Sequence, residues 1–302
     1  MPDAPPAPPP TAPHAACPSC GAERTGAYCT DCGQRHFDRR LTLRQLWSDF
    51  VSRAFSLDRG LFYTLSRLAG GPGRVPADYV AGRQRPYTHP LSFYLLVAAL
   101  SLLSASLYQE RIIESAGEAG ASIIQIADEN PDDADSPLAL LRAAAERVDG
   151  DDGQGLIRRS TQIQNRLATP LLVFFALFLV GPLRLVFGRQ RNVAETAIFS
   201  LYVVGFATLG VALVSPLLFL ALPIVAASLV QAILTLLAYA GLTAWGAVGF
   251  WNPGRKTIAK AAFAGLLGYL VYTVVVGMVS IVLLVGELLD AAGLTWREVL
   301  SA

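Results

Sequence analysis

Charge is scarce in this chain. Only 16% of its 302 residues are charged and 53% are hydrophobic, with a mean hydropathy of +0.44. An ordinary soluble domain, in which about a quarter of the residues carry charge, is thereby excluded. Histidine is scarcer still, three in all, and none sits inside a long apolar run. Carboxylates are missing from the middle of those runs too. Proton- and ion-coupled carriers keep such groups in mid-membrane despite their cost, so the chain lacks their hallmark. No Ser-His-Asp set, phosphate loop or carboxylate pair can be assembled, and no catalytic residue is assigned. The first segment, 1–16, has neither a basic n-region nor an apolar h-region and is read as a disordered proline-rich tether, not as a secretory signal. The formal net charge of +1 decides nothing about partners by itself; the distribution of charge has to.

Cysteine is absent from the whole chain except one window. There Cys17, Cys20, Cys29 and Cys32 form two C-x-x-C pairs, each followed by a glycine, Gly21 or Gly33. A C-x-x-C turn aims both thiolates at one ion, and two such turns complete a tetrahedron. We expect a structural zinc ribbon over 17–36, with the four thiolates as ligands and no open position for catalysis. Two disulfides would need an oxidising compartment. A redox pair needs only one C-x-x-C at a helix start. Iron in a rubredoxin-like site is the remaining competitor. His14 and His36 flank the cluster and are read as solvated.

What the chain has in quantity is long apolar sequence. Crossing a bilayer takes about 20 residues, and five stretches qualify: 90–108, 170–187, 197–220, 224–245 and 262–285. Pro216 and Pro223 are read as bracketing the turn that separates the third from the fourth. Short connections rich in arginine and lysine mark the cytoplasmic side. Arg74, Arg83 and Arg85 precede the first span, Arg189 and Arg191 follow the second, and Arg255, Lys256 and Lys260 follow the fourth. That pattern places the amino terminus with its cysteines inside, and the 286–302 tail outside.

Between ribbon and first span, 41–89, the pattern is helical. Leu43, Leu46, Trp47 and Phe50 share an apolar stripe, Thr42 with Gln45 has the form of a capping box, and Gly70-Gly71-Pro72-Gly73 ends the run. Such a helix suits the headgroup layer, or else a place against the bundle. A short helix begins at Pro76 and stops at Gly82. His89, before Pro90, is read as an interfacial polar residue.

The motifs CPSCG and YCTDCGQR, then RLTLRQLWSDF, then FSLDRGLFYTLSRLAGGPGRVPADYVAGRQRPYTHPLSFYL together resemble a bacterial membrane protein family of unknown function with an amino-terminal zinc ribbon, domain of unknown function 3667. The resemblance covers the first third of the chain. It implies a membrane location, an amino-terminal ribbon and no established activity, so no catalytic residue is carried over.

The 109–169 connection reads as acidic, with amphipathic helical pieces, and its Asp runs lack the spacing of a calcium loop. Glu195 is placed to pair with Arg191, Arg184 or Lys260. Thr208, Gln231, Tyr239, Tyr269, Tyr272 and Thr273 are read as bonding neighbouring helices.

The expected fold is therefore an all-α integral membrane bundle of five transmembrane helices with a small zinc ribbon and interfacial amphipathic helices, in a bacterial inner membrane. Its expected partners are the lipid bilayer, a cytoplasmic protein met through the ribbon, and a second copy in a homo-oligomer. No nucleic acid is expected, because CGAERTGAYC lacks a basic cluster with stacking aromatics. The expected role is docking or assembly through the ribbon. The alternative is a channel or carrier for a small neutral or lipid-like solute.

Overall fold

The computed structural model describes residues 16–23, 28–34, 42–53, 60–112 and 174–292. The tether before Ala16, His14, His36, the acidic connection from 113 onward, 170–173 at the start of the second apolar stretch, and the tail from 293 lie outside the described residues. Among the described residues there is no strand; Ala16 and Glu23 form an isolated bridge. The helices are α1 (Leu43–Arg53), α2 (Gly60–Gly70), α3 (Arg74–Val80), α4 (Pro90–Ser106), α5 (Val180–Phe187), α6 (Val193–Ala221), α7 (Ile224–Phe250) and α8 (Arg255–Ala292).

Local chemistry sets these boundaries. At α1 the Thr42 amide donates to Gln45 Oε1 at 3.0 Å, and the Gln45 amide donates to Thr42 Oγ1 at 3.3 Å, a reciprocal cap. Pro90 opens α4 at a position where its missing N–H has no intrahelical acceptor to lose. Asn192 caps α6: its side chain accepts from the Glu195 amide at 2.7 Å while Glu195 Oε2 accepts from the Asn192 amide at 3.2 Å.

Three helices are long and apolar enough to cross a membrane, Val193–Ala221, Ile224–Phe250 and Arg255–Ser280, and two shorter apolar ones, Pro90–Ser106 and Phe174–Phe187, stand beside them. Tertiary contacts fix their directions. Thr88 and Tyr202 meet at one end of α4 and α6, Ser104 and Ala212 further along, so these two run parallel. Thr208 with Tyr239 and Ser215 with Gln231 make α7 antiparallel to α6. Tyr239 stacks on Tyr269, and Gly265 lies against Ala240 and Thr243, so α8 turns back along α7. Phe175 meets Tyr272 and Leu179 meets Gly268, which makes the Phe174–Phe187 stretch antiparallel to α8. One end of the bundle thus gathers the starts of α4, α6 and α8 and the finishes of α5 and α7. Arg189, Arg191, Arg255, Lys256 and Lys260 are at that end, and so are α1, α2, α3 and the cysteines.

Pro216 and Pro223 are expected from the sequence to bracket the turn; α6 runs through Pro216 and the chain turns at Leu222-Pro223. A proline inside a helix strands the carbonyl four residues back, here Ala212, and in an apolar surrounding that oxygen needs another donor. Ser104 of α4 supplies it, donating Oγ–H to the Ala212 carbonyl. At the far end Arg111 donates to the Phe219 carbonyl, one of the last four of α6. Ser104→Ala should therefore leave a buried acceptor unmade and destabilise the bundle by about 1–3 kcal/mol. Thermal unfolding in detergent measures this. Ser106→Ala serves as the control, since Ser106 is exposed and bonds only within its own turn.

α6 is the central rod. From Ala194 to Gly205 every residue is buried, which a helix achieves only when it is enclosed on all sides. α4 and α7 cover two sides, and α2, α3 and α5 close the rest. Gly73, before α3, approaches Gly246 of α7 closely, backbone against backbone.

Candidate metal centre

The two C-x-x-C turns have the same hydrogen-bonded shape. In the first, the Cys17 amide donates to the Ala22 carbonyl at 2.7 Å and the Gly21 amide donates to the Cys17 carbonyl at 2.8 Å. In the second, Cys29 donates to Gln34 at 2.8 Å and Gly33 to Cys29 at 2.9 Å. The return requires left-handed backbone, and Gly21 and Gly33 supply it with φ of 81° and 69°. Each turn so folded presents both thiols on one side.

All four sulfurs lie within 4.8 Å of one another. Cys17 Sγ is 3.8 Å from Cys32 Sγ and Cys20 Sγ is 3.6 Å from Cys29 Sγ, far beyond a disulfide bond of about 2.05 Å. A metal–sulfur distance of about 2.3 Å implies sulfur–sulfur edges of about 3.8 Å in a tetrahedron. The donor set, its spacing and its closure fit a single thiophilic cation.

The electrostatics point the same way. The Cys32 amide, helped by that of Asp31 and by Cys20, holds the Cys29 thiol down at about 7 against the effect of burial. For Cys20 the Ala22 amide pulls down, but the sulfur of Cys32, burial, and the sulfurs of Cys29 and Cys17 together push the thiol up to about 12. Burial raises Cys32 as well. Four thiols in contact cannot all ionise by themselves, and a cation at their centre is what makes a four-thiolate state accessible.

The cluster is fastened to the bundle through a residue that spacing rules pass over. Gln34, almost fully buried, accepts from the backbone amide of Arg85 at 2.9 Å and from Ser19 Oγ at 3.3 Å. Its own carbonyl closes the second cysteine turn. Pro18 of the first turn sits over Gly82. Both cysteine turns therefore rest on the 82–85 segment leading into α4. Asp78 pairs with Arg83 and accepts from Tyr87 Oη at 2.7 Å, which joins α3 to the same segment. Burial, then the bond to Asp78, pushes the Tyr87 phenol up to about 12. Arg67 of α2 is raised, chiefly by its hydrogen bond to Tyr87.

Gln34→Ala should retain the metal, because its bond to the Cys32 sulfur comes from the backbone amide, which alanine keeps, yet release the Arg85 amide to exchange. Hydrogen exchange with metal content measured on the same sample checks this. An Arg85 amide as protected as before would remove Gln34 from that role.

His89 is buried between the rings of Phe50 and Tyr79, at 6.0 and 6.2 Å between centroids, and takes no part in the sulfur cluster. Glu195 lies 4.0 Å from Arg191. Arg191 also donates to the Phe250 carbonyl at 2.9 Å, capping α7, and Arg184 donates to the Arg191 carbonyl. Of the polar residues in the spans, Thr208 bonds Tyr239 at 2.6 Å and Ser215 bonds Gln231 at 3.0 Å. Thr273 bonds back to Leu270 in its own helix.

No curated protein and no solved structure matches the chain. Residues 58–102, which run from just before α2 into α4 and exclude the cysteines, match a family described as Protein of unknown function (DUF3667).

Proposed function

We propose that the chain is a five-span inner-membrane protein whose ribbon, closed by a structural zinc ion, is a docking and assembly module on the cytoplasmic face. The observation that carries this reading is the pair of matched cysteine turns, with sulfur spacing suited to one tetrahedral ion, resting on the segment that enters α4. A closed four-thiolate site has no free position for substrate, so its contribution is folding free energy. The basic residues collected at the ribbon's end of the bundle support a cytoplasmic placement, and glutathione there keeps the thiols reduced. The two shorter helices, Phe174–Phe187 and Pro90–Ser106, belong to apolar runs of span length in the sequence, 170–187 and 90–108.

The ribbon's inner side is occupied by the chain itself. Its outer side, with Cys20 and Tyr28 exposed, is the surface available to a cytoplasmic protein. Within the bundle, the pairing of Thr208 with Tyr239 and of Ser215 with Gln231 supports packing more than a solute path.

Affinity capture from native membranes, with zinc measured on the same sample, tests the reading. The wild-type chain should bring down a set of cytoplasmic proteins that the Cys29→Ser/Cys32→Ser chain, inserted at normal level, does not. Recovery of the same set by both chains would end the docking proposal.

A further inference from the structure

The apolar stripe of α1 has two unlike flanks. Leu46 is buried against the bundle and Phe50 lies on the ring of His89. Leu43 and Trp47, one turn apart on the other flank of the same stripe, are 50% and 61% exposed, with Arg44 exposed beside them. Water is a poor neighbour for an indole and an isobutyl group held in one patch by a capped helix.

The depth of this patch can be read from α6 and α7. At 1.5 Å per residue, about 20 residues cover the hydrocarbon thickness. Counted back from the uncharged turn at Leu222-Pro223, that length of α6 ends at Tyr202. Tyr202 Oη donates to the Thr88 carbonyl at 2.5 Å. The next residue, His89, is the N-cap of α4. Phe50 touches His89, and the Trp47 ring is 5.6 Å from that of Phe50. The same count along α7 from Ile224 ends at Thr243, two residues short of Trp245, which is itself 49% exposed. Two indoles thus stand outward at the depth where apolar chains give way to headgroups, the position that tryptophan favours at both faces of a bilayer.

We infer that the outer flank of the α1 stripe, Leu43 and Trp47, is a bilayer contact surface. Its occupant is the headgroup and upper acyl layer of the cytoplasmic leaflet, with Arg44 positioned to meet lipid phosphate. The helix seats Leu46 and Phe50 on the bundle and turns the neighbouring flank of the stripe to lipid, so it both packs on the bundle and lies on the membrane. The inference rests on the membrane-spanning reading of α6 and α7. A second copy of the chain or a cytoplasmic protein covering the same patch are the competing occupants.

The test uses the full chain reconstituted in vesicles of phosphatidylcholine and phosphatidylglycerol, with and without lipids brominated high on the acyl chain. Subtracting the emission of Trp47→Phe from wild type isolates Trp47, and Trp245→Phe isolates Trp245 in the same way. The surface is supported if shallow bromines quench the Trp47 emission and aqueous acrylamide does not. Quenching by acrylamide alone, or by neither agent, overturns it: the first puts the ring in water, the second under protein. If Trp245 is quenched by bromines while Trp47 is not, this inference fails alone. If neither ring responds to bromines, the spanning reading fails with it.

Discussion

Gly73→Leu will fail to assemble the bundle. A Cβ at Gly73 would stand 1.8 Å from the Gly246 carbonyl oxygen, and the next nearest atoms are also backbone of Gly246. No side chain is available to swing aside, so α3 must leave α7 and expose the enclosed part of α6. Forcing one extra methyl into a packed site costs about 1–3 kcal/mol when side chains can yield, and a full isobutyl group against backbone exceeds that range. The measurement is thermal unfolding and monodispersity in detergent, compared with Gly70→Ala. Gly70 ends α2, and a Cβ added there would meet nothing within 4 Å, so that control should stay within about 0.5 kcal/mol of wild type. Equal stability of the two variants would mean that α3 does not seat on α7.

Cys29→Ser/Cys32→Ser will lose the ion altogether, because one intact C-x-x-C leaves half a coordination shell. Structural zinc supplies about 10–16 kcal/mol of apparent binding free energy in small zinc modules, more than a cluster of two turns and one β-bridge can replace. The ribbon should unfold, and the amides around Arg85 should exchange as they do in Gln34→Ala. The bundle should stay inserted, since its helices share no ligand with the site. Metal content, hydrogen exchange and membrane fractionation on one preparation check the three statements together. Retention of one ion per chain by this variant would show that the thiolates are not its ligands.

The residues differ in how far they could be read in advance. The C-x-x-C pairs, the Thr42 cap, the opening of α4 at Pro90 and the apolar lengths of α6, α7 and α8 are local: each depends on residues within a turn or on composition along one rod. Sequence spacing carries that information. Gln34 joins a residue 51 positions away, and Ser104 rescues a carbonyl 108 positions away. Nothing local distinguishes them from any other glutamine or serine. Pro216 shows the consequence, since a helix breaker by local rules is carried by a donor from another helix. Gly73 likewise looked like the end of a helical run, and its actual demand is the absence of a side chain against α7. His89 drew notice for its chemistry, and its surroundings turn out to be aromatic rings and the cap of a helix.

Cys17, Cys20, Cys29 and Cys32 are expected to hold a single tetrahedral ion against the base of the bundle. X-ray absorption at the zinc edge on the full chain, purified without added metal, addresses it most directly. The expected result is one zinc per chain with four sulfur neighbours at about 2.3 Å. A spectrum with nitrogen or oxygen in the first shell, or a chain that arrives free of metal with its cysteines joined in disulfides, would contradict it.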